Sequence, residues 1–180
     1  MHGSVLQFVA RCLRPIEVRG QNVIELGAYD VNGSVRPLVL RYEPASYVGV
    51  DQFPGPGVDV VLDATALDEF MQHNLQPHSF GVVISTEMLE HAQNWQAAVE
   101  VMGALLQPGG TLILTARGPG FVHHNPPDYW RFTADDALLI ARHLGLIVME
   151  IEDDPQVPGF FLKAKKPNGL AFAVERAPAG

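Results

Sequence analysis

Short apolar runs alternate along this chain with segments of helical period. Val5, Leu6, Val9 and Leu13 recur at helical spacing, and Pro15 is expected to stop that helix. Residues 22–26 form a brief β-branched run that ends at Gly27 and reads as a buried strand. A helix is expected over 33–40 with Pro37 in its first turn, then strands over 47–50 and 58–62 on either side of a proline–glycine loop. A short acidic helix is predicted over 67–73. Residues 80–85 (FGVVIS) are continuously apolar, as in a strand covered on both faces.

The pattern then predicts a helix over 95–106 closed by Pro108-Gly109-Gly110, and a strand over 111–115. Thr133 reads as an N-cap, with Asp135 and Asp136 in the first turn of a helix running to Leu144, and Gly145 ends it. Residues 146–151 and 160–165 read as two strands with no helix between them. Strand–helix alternation implies a mostly parallel α/β sheet, doubly wound, with helices on both faces. The last two strands must then be an antiparallel hairpin, giving seven strands in all. The expected organisation is one domain over residues 1–166, with 1–20 as a helical lead-in, followed by a tail over 167–180. Residues 170–174 of that tail are apolar enough to pair as an edge strand.

Composition narrows the class. An apolar fraction of 47% and a charged fraction of 18% suit a globular domain with a sizeable core. No apolar stretch approaches the roughly 18 to 20 residues of a membrane span, and the opening residues lack the pattern of a secretory signal. Cys12 is the single cysteine, so no internal disulfide forms and the expected compartment is the cytoplasm. A formal net charge of −8 disfavours nucleic acid and anionic membrane as partners. The basic clusters Arg11, Arg14, Arg19 and Lys163, Lys165, Lys166 are expected to be solvated faces.

In an open parallel sheet, ligands bind beyond the carboxyl ends of the strands. Glu25-Leu26-Gly27-Ala28-Tyr29-Asp30-Val31-Asn32-Gly33-Ser34 follows the first strand. Gly27 permits a tight turn and Gly33 a close backbone approach, but the dinucleotide fingerprint is missing and two carboxylates stand where a pyrophosphate would sit. The second strand ends in Asp51, placed to accept hydrogen bonds from ribose hydroxyls. The third ends in Asp63-Ala64, where a carboxylate and an N–H are suited to an adenine edge.

These residues, in this order, resemble the class I S-adenosylmethionine-dependent methyltransferases. The likeness spans roughly residues 22–165. It is carried by Glu25-Leu26-Gly27 with Asn32-Gly33-Ser34, Gly49-Val50-Asp51, Asp63-Ala64, Phe80–Ser85 running into Met88-Leu89-Glu90-His91, and Leu106-Gln107-Pro108-Gly109-Gly110. One departure is Tyr29, where the family's second glycine stands. The resemblance implies S-adenosylmethionine as cofactor, with S-adenosylhomocysteine as product. Glu25, Gly27, Ala28, Asn32 and Gly33 would lie along its methionine, Asp51 with Gln52 at the ribose, Asp63 with Ala64 at the adenine, and Ser85 near the sulfonium. Glu87 would stand nearer the substrate.

The long loop after the fifth strand is rich in histidine and aromatic residues, a composition expected of function at a ligand face. Methyl transfer is an in-line displacement, and a hydroxyl acceptor also loses a proton. His123 and His124 are the candidate bases, with Asp128 orienting an imidazole or binding substrate. Tyr129, Trp130 and Arg131 are candidates for a stacking wall and an anion contact, whereas Trp130 and Phe132 also suit a purely anchoring role. Sugar- and small-metabolite-modifying members of the family carry a similar Tyr–Trp–Arg–Phe run, which points to a small-molecule acceptor.

Several alternatives stay open: a catalytically silent module of the same fold, a nicotinamide-dependent oxidoreductase, or a nucleobase methyltransferase suggested by Asn125-Pro126-Pro127-Asp128-Tyr129. In that last class the motif follows the fourth strand, whereas here it follows the fifth. No complete metal-ligand set is present, either in Glu87-Met88-Leu89-Glu90-His91 or among His123, His124 and Asp128, and His91 is expected to pack within its helix. The acceptor atom and the oligomeric state are not encoded in any motif.

Overall fold

In a computed structural model of the chain, residues 3–120 and 127–169 are described. The helix α1 (Gly3–Cys12) is followed by a short α2 (Pro15–Val18), so Pro15 ends one helix and opens the next from its first position. Then come β1 (Asn22–Leu26), α3 (Arg36–Leu40), β2 (Ser46–Asp51), β3 (Val60–Val61) and α4 (Leu67–Gln72). The second half runs through β4 (Phe80–Thr86), a 3₁₀ turn (Leu89–His91), α5 (Trp95–Leu105), β5 (Leu106–Arg117), α6 (Ala134–His143), β6 (Ile147–Asp153) and β7 (Gly159–Lys165).

The seven strands lie in the order β3-β2-β1-β4-β5-β7-β6. β3, β2, β1, β4 and β5 are parallel, and β7 is inserted antiparallel between β5 and β6. The order reverses between β1 and β4, and in sheets of this kind that switch point is where a ligand crevice forms above the strand ends. One core packs α4, α5 and α6 on one face of the sheet, through Phe70, Met102, Leu105 and Ile140. A second core packs α1, α2 and α3 on the other face, through Phe8, Leu13, Val18 and Val39. The α/β, doubly wound sheet with a C-terminal antiparallel pair is therefore present. Among the described residues, no helix is long and apolar enough to cross a membrane.

Several element bounds differ from those expected. Pro108-Gly109-Gly110 does not close α5. The helix ends at Leu105, Leu106 turns to an extended conformation, and the three residues lie inside β5, where pairing with β4 shifts register between Phe80 and Val82. Gly109 takes φ +75°, which lets a strand pass through an irregularity with its backbone still paired to Lys166. α3 starts only at Arg36, because the preceding residues are used by the loop, and β3 shrinks to Val60–Val61 at the sheet edge. Thr133 caps α6 as expected: its Oγ1 accepts from the Asp136 N–H at 3.3 Å. The segment 170–174 lies outside the described residues.

The carboxy-terminal lysines are not a solvated face. α1 and α2 cover β7, so Lys163 is 5% exposed and its Nζ donates to Glu17 Oε2 and to the Cys12 carbonyl, both at 2.7 Å. Lys165 lies 3.2 Å from Glu17 Oε1, and Lys166 donates to the Gly103 and Leu106 carbonyls at the end of α5. Burial by itself raises the Glu17 carboxyl, but the hydrogen bonds from Lys163 and Arg14 outweigh it and hold the group down at about 2. The stabilisation from this pair is thus complete above the ordinary carboxylate range and fades as pH falls through about 2. Lys163→Ala leaves the buried Glu17 carboxylate with only Arg14 and Lys165, both more exposed than Lys163, and the expected outcome is a loss of about 2 kcal/mol or more at pH 7 in urea denaturation. The loss should shrink in acid, where Glu17 takes up a proton.

Candidate functional site

The loop after β2 lies so close to β2 itself and to the loop after β1 that glycine is required both in the strand and in the loop. A Cβ on Gly49 would stand 2.0 Å from the Gly57 carbonyl oxygen, and one on Gly57 would stand 2.4 Å from that of Ala28. The Val50 carbonyl accepts from both the Gly27 and Ala28 N–H groups, at 2.9 and 3.0 Å, and Asp30 N–H donates to Pro56 at 2.8 Å. Asp51 ties the two loops together: its Oδ2 accepts from the Tyr29 N–H at 3.2 Å and its Oδ1 from the Phe53 N–H at 3.0 Å. Gln52 sits beside it, exposed.

Tyr29 does not cross the middle of the glycine turn. Its ring lies over Gly55, where a Cβ would meet Cε2 at 2.3 Å. Asp30 Oδ1 accepts from the Gly33 N–H at 2.7 Å, closing the turn around the exposed Asn32, and Gly33 itself takes φ +128°. Gly27 takes φ +82°, and its missing Cβ leaves room for Met88, whose Cβ and Cγ would otherwise be 2.6 Å away. Met88 was not among the expected site residues, and only tertiary packing reveals it.

Beneath this loop Glu25 is 2% exposed. Burial pushes its carboxyl up to about 7, partly offset by the hydrogen bond donated by Tyr47 Oη. The Tyr47 ring in turn carries the Arg36 guanidinium 4.9 Å from its centroid, and Arg36 forks onto Asp59 at 2.8 and 3.2 Å. Asp63 Oδ1 is taken up by the N–H and hydroxyl of Thr65, both at 2.8 Å, in a loop where Asp63 is exposed and Ala64 half-buried.

The other half of the crevice lies above β4 and β5. Ser85 is fully buried, and its Oγ, like the buried hydroxyls of Thr86 and Thr115, meets no hydrogen-bond partner. Glu87 follows with φ +56°, a left-handed backbone uncommon for a residue with a side chain. Its carboxylate pairs with Arg117, the last residue of β5, which also reaches Asp154 at 2.9 Å from a position only 3% exposed. Arg117 therefore bridges the end of β4 to the loop between β6 and β7. A cleft of about 240 Å³ opens beside it, lined by Gly118, Phe132, Thr133, Asp154 and Pro158 among others.

The loop after β5 returns over the 3₁₀ turn. The Glu90 carbonyl accepts from the N–H groups of Tyr129 (2.8 Å) and Trp130 (3.3 Å), and Trp130 Nε1 donates to the Gln93 carbonyl at 3.2 Å. Trp130 is thus tethered yet 41% exposed, beside Tyr129 at 48%. Anchoring to the core falls to Phe132, which packs edge-on against Trp95 and Phe160. Asp128 pairs with Arg131, and His91 Nδ1 lies 3.1 Å from both Asp128 Oδ1 and the Pro127 carbonyl. His91 therefore binds the loop rather than packing within its own turn. His123 and His124 lie outside the described residues. Among the described residues, no three His, Cys, Asp or Glu side chains gather as a metal site.

This geometry coincides with a family assignment. A family model described as a methyltransferase domain matches residues 1–144. The chain belongs to that family. It is a class I S-adenosylmethionine-dependent methyltransferase. None of the curated proteins matches its sequence significantly. Among solved structures, this methyltransferase is similar to Burkholderia thailandensis 1,6-didemethyltoxoflavin-N1-methyltransferase with bound 1,6-didemethyltoxoflavin and S-adenosylhomocysteine. The TM-score is 0.71 at 16% identity, over 91% of this chain and 78% of that one. It is also similar to a chain of the complex between the Haloferax volcanii Trm112 methyltransferase activator and a methyltransferase (TM-score 0.67, 16% identity, 95% and 92% covered). The [4+2]-cyclase SpnF matches at TM-score 0.67 and 16% identity, with 92% and 80% covered. At these identities the likeness is one of fold.

The raised Glu25 carboxyl gives this half of the site a stability signature. A carboxyl whose folded pKa lies near 7 binds a proton that the unfolded chain has already released, so stability falls as pH rises from about 4.5 through about 7. Glu25→Gln keeps an acceptor for Tyr47 and removes the titration. The expected outcome is a variant that gains on the parent chain, by roughly 1 kcal/mol or more, between pH 5 and pH 8 in thermal or urea unfolding.

Proposed function

We propose that this methyltransferase moves the methyl group of S-adenosylmethionine to a small-molecule acceptor, in line, across the crevice above β1, β4 and β5. The observation that carries the reading is Asp51, clamped at the end of β2 by two backbone N–H groups, one from the loop after β1 and one from the loop after β2. Each oxygen keeps a further lone pair, enough to accept from the two hydroxyls of a ribose.

The residues present fit the cofactor. Gly27 and Gly33, both with positive φ, shape the turn, with Ala28 and Asn32 beside it for the methionine part. Asp63 retains one carboxylate oxygen for an adenine amino group, next to the Ala64 backbone. Gln52 flanks the ribose position. The partnerless Ser85 hydroxyl suits the end of the methionine chain nearest the sulfur. Glu25, sealed by Tyr47, braces the turn from below. When bound, S-adenosylmethionine supplies an electrophilic methyl group on a positively charged sulfur.

The protein's own work is alignment and exclusion of water. Exposed Tyr129 and Trp130, pinned through their N–H groups, offer flat apolar faces for an acceptor, and Glu87 and Arg131 offer polar edges. Asp128 orients Arg131 and His91 around that wall. A small acceptor, such as a sugar or another secondary metabolite, fits this open wall, and the net charge of −8 disfavours a polyanionic one. The likeness to a [4+2]-cyclase supports a second reading, a domain of this fold whose activity is other than methyl transfer.

Calorimetric titration with S-adenosylhomocysteine tests the reading. One-to-one binding in the micromolar range is expected, weakened by about tenfold or more in Asp51→Ala through loss of the ribose hydrogen bonds. Full affinity in that variant sinks the assignment of Asp51. Firm binding with no turnover across acceptor classes favours the second reading.

A further inference from the structure

Glu90 is the one acidic side chain at the ends of β4 and β5 that no described cation holds. Glu87 is paired with Arg117, Asp154 with Arg117, and Asp128 with Arg131. Glu90 is 1% exposed, carried on the 3₁₀ turn immediately beyond β4. Its carboxylate lies by its own backbone N–H and that of Arg117, the last residue of β5. One oxygen, Oε2, is buried and has no hydrogen-bond partner. Leaving such an atom unsatisfied costs free energy in a folded protein, and the buried, partnerless hydroxyls of Ser85 and Thr86 stand a few residues away along the same strand end. The backbone of the same residue pins Tyr129 and Trp130, so the carboxyl sits under the wall offered to the acceptor.

We propose that Glu90 receives the acceptor's proton, and hence that the acceptor presents an O–H or N–H that must be deprotonated as the methyl arrives. This rests on the methyl-transfer reading above. As the acceptor atom bonds to the methyl carbon, the carbon–sulfur bond breaks and its electron pair stays on sulfur. The acceptor proton passes to Glu90 Oε2 and later leaves to water. The surroundings suit the task. Burial pushes the Glu90 carboxyl up to about 7, the hydrogen bonds from its own N–H and from Arg117 pull it down, and Asp128 pushes it up against the pull of Arg131. The charged groups that act on it are Asp128 and Arg131, both from the loop after β5.

The test compares two ligands that differ only in the methyl group and its positive charge. The full chain is titrated calorimetrically with S-adenosylmethionine and with S-adenosylhomocysteine from pH 6 to 8.5. Titration of Glu25 and of the shared amino acid end affects both ligands and drops out of the ratio of their Kd values. A carboxylate facing the sulfonium makes the preference for S-adenosylmethionine rise by at least about fivefold across pH 7. In Glu90→Gln the ratio should stay flat, with S-adenosylhomocysteine binding within about twofold of the parent. Glu90→Asp, with the charge kept and the reach shortened, should retain a smaller step, and it serves if the glutamine variant does not fold. A flat ratio in the parent chain despite firm binding overturns the assignment of Glu90 alone, as does an unchanged step in Glu90→Gln. Failure of both ligands to bind overturns the methyl-transfer reading, and this inference with it.

Discussion

The crevice depends on the contact between two backbones, the end of β2 and the loop that follows it, where Gly49 lies against the carbonyl of Gly57 with no room for a methyl group. Asp59 closes that contact by accepting from the Gly49 N–H at 2.7 Å while pairing with Arg36. Arg36 opens α3 and lies over Tyr47, and Tyr47 donates to Glu25 on β1. One chain of contacts thus links β1, β2, α3 and the loop after β2. It decides how far apart the turns after β1 and β2 stand, and so where Asp51 can present its oxygens. Removing any member would loosen a geometry that a ligand site needs to hold to a fraction of an ångström.

The order of elements was legible because parallel strands covered on both faces must be continuously apolar and short, and residues 80–85 show this plainly. The same holds for the Thr133 cap, which is a local signal between residues three apart. Where the pattern misled, the deciding partner was far away in sequence. Pro108-Gly109-Gly110 has the composition of a helix stop, but Lys166 pairs with its backbone and β4 pairs with Leu106 and Thr111 on either side. Lys163 looks like part of a solvated run until α2 brings Glu17 across it, 146 residues earlier. In the site, Asp51 and the two glycines are readable from spacing, whereas Met88, Arg36–Asp59 and the engagement of Glu25 by Tyr47 are products of tertiary packing. Tyr29 breaks the family pattern, yet its ring is accommodated over Gly55, a position whose lack of a side chain has meaning only in the folded chain.

The half of the crevice above β4 and β5 follows a different logic. Its polar groups are buried rather than rim-exposed, and two of its carboxylates, Glu87 and Asp154, are held by a single guanidinium. Arginine suits that role because its planar fork meets two carboxylates from one position and keeps its charge when buried. Glu87 is held in a left-handed conformation, an arrangement that persists only where the surroundings over-determine it. Arg117, through its side chain, and Thr115, through the carbonyl that accepts the Glu87 N–H at 3.0 Å, supply that constraint.

Glu25 and Glu90 show how burial alone does not confer a role. Both are almost fully enclosed and both are pushed up to about 7. Glu25 is closed off by a phenol that donates to it, and the phenol is locked in turn by Arg36, so its proton has nowhere to go except through rearrangement of the loop core. Glu90 keeps a buried oxygen, Oε2, with no hydrogen-bond partner beside the strand ends. Equal electrostatic cost therefore yields a brace in one case and a reactive group in the other, and the difference lies in hydrogen-bond satisfaction. A fold that needs buried carboxylates at its strand ends spends the same destabilisation either way, so the unsatisfied one marks where chemistry, rather than architecture, has set the residue.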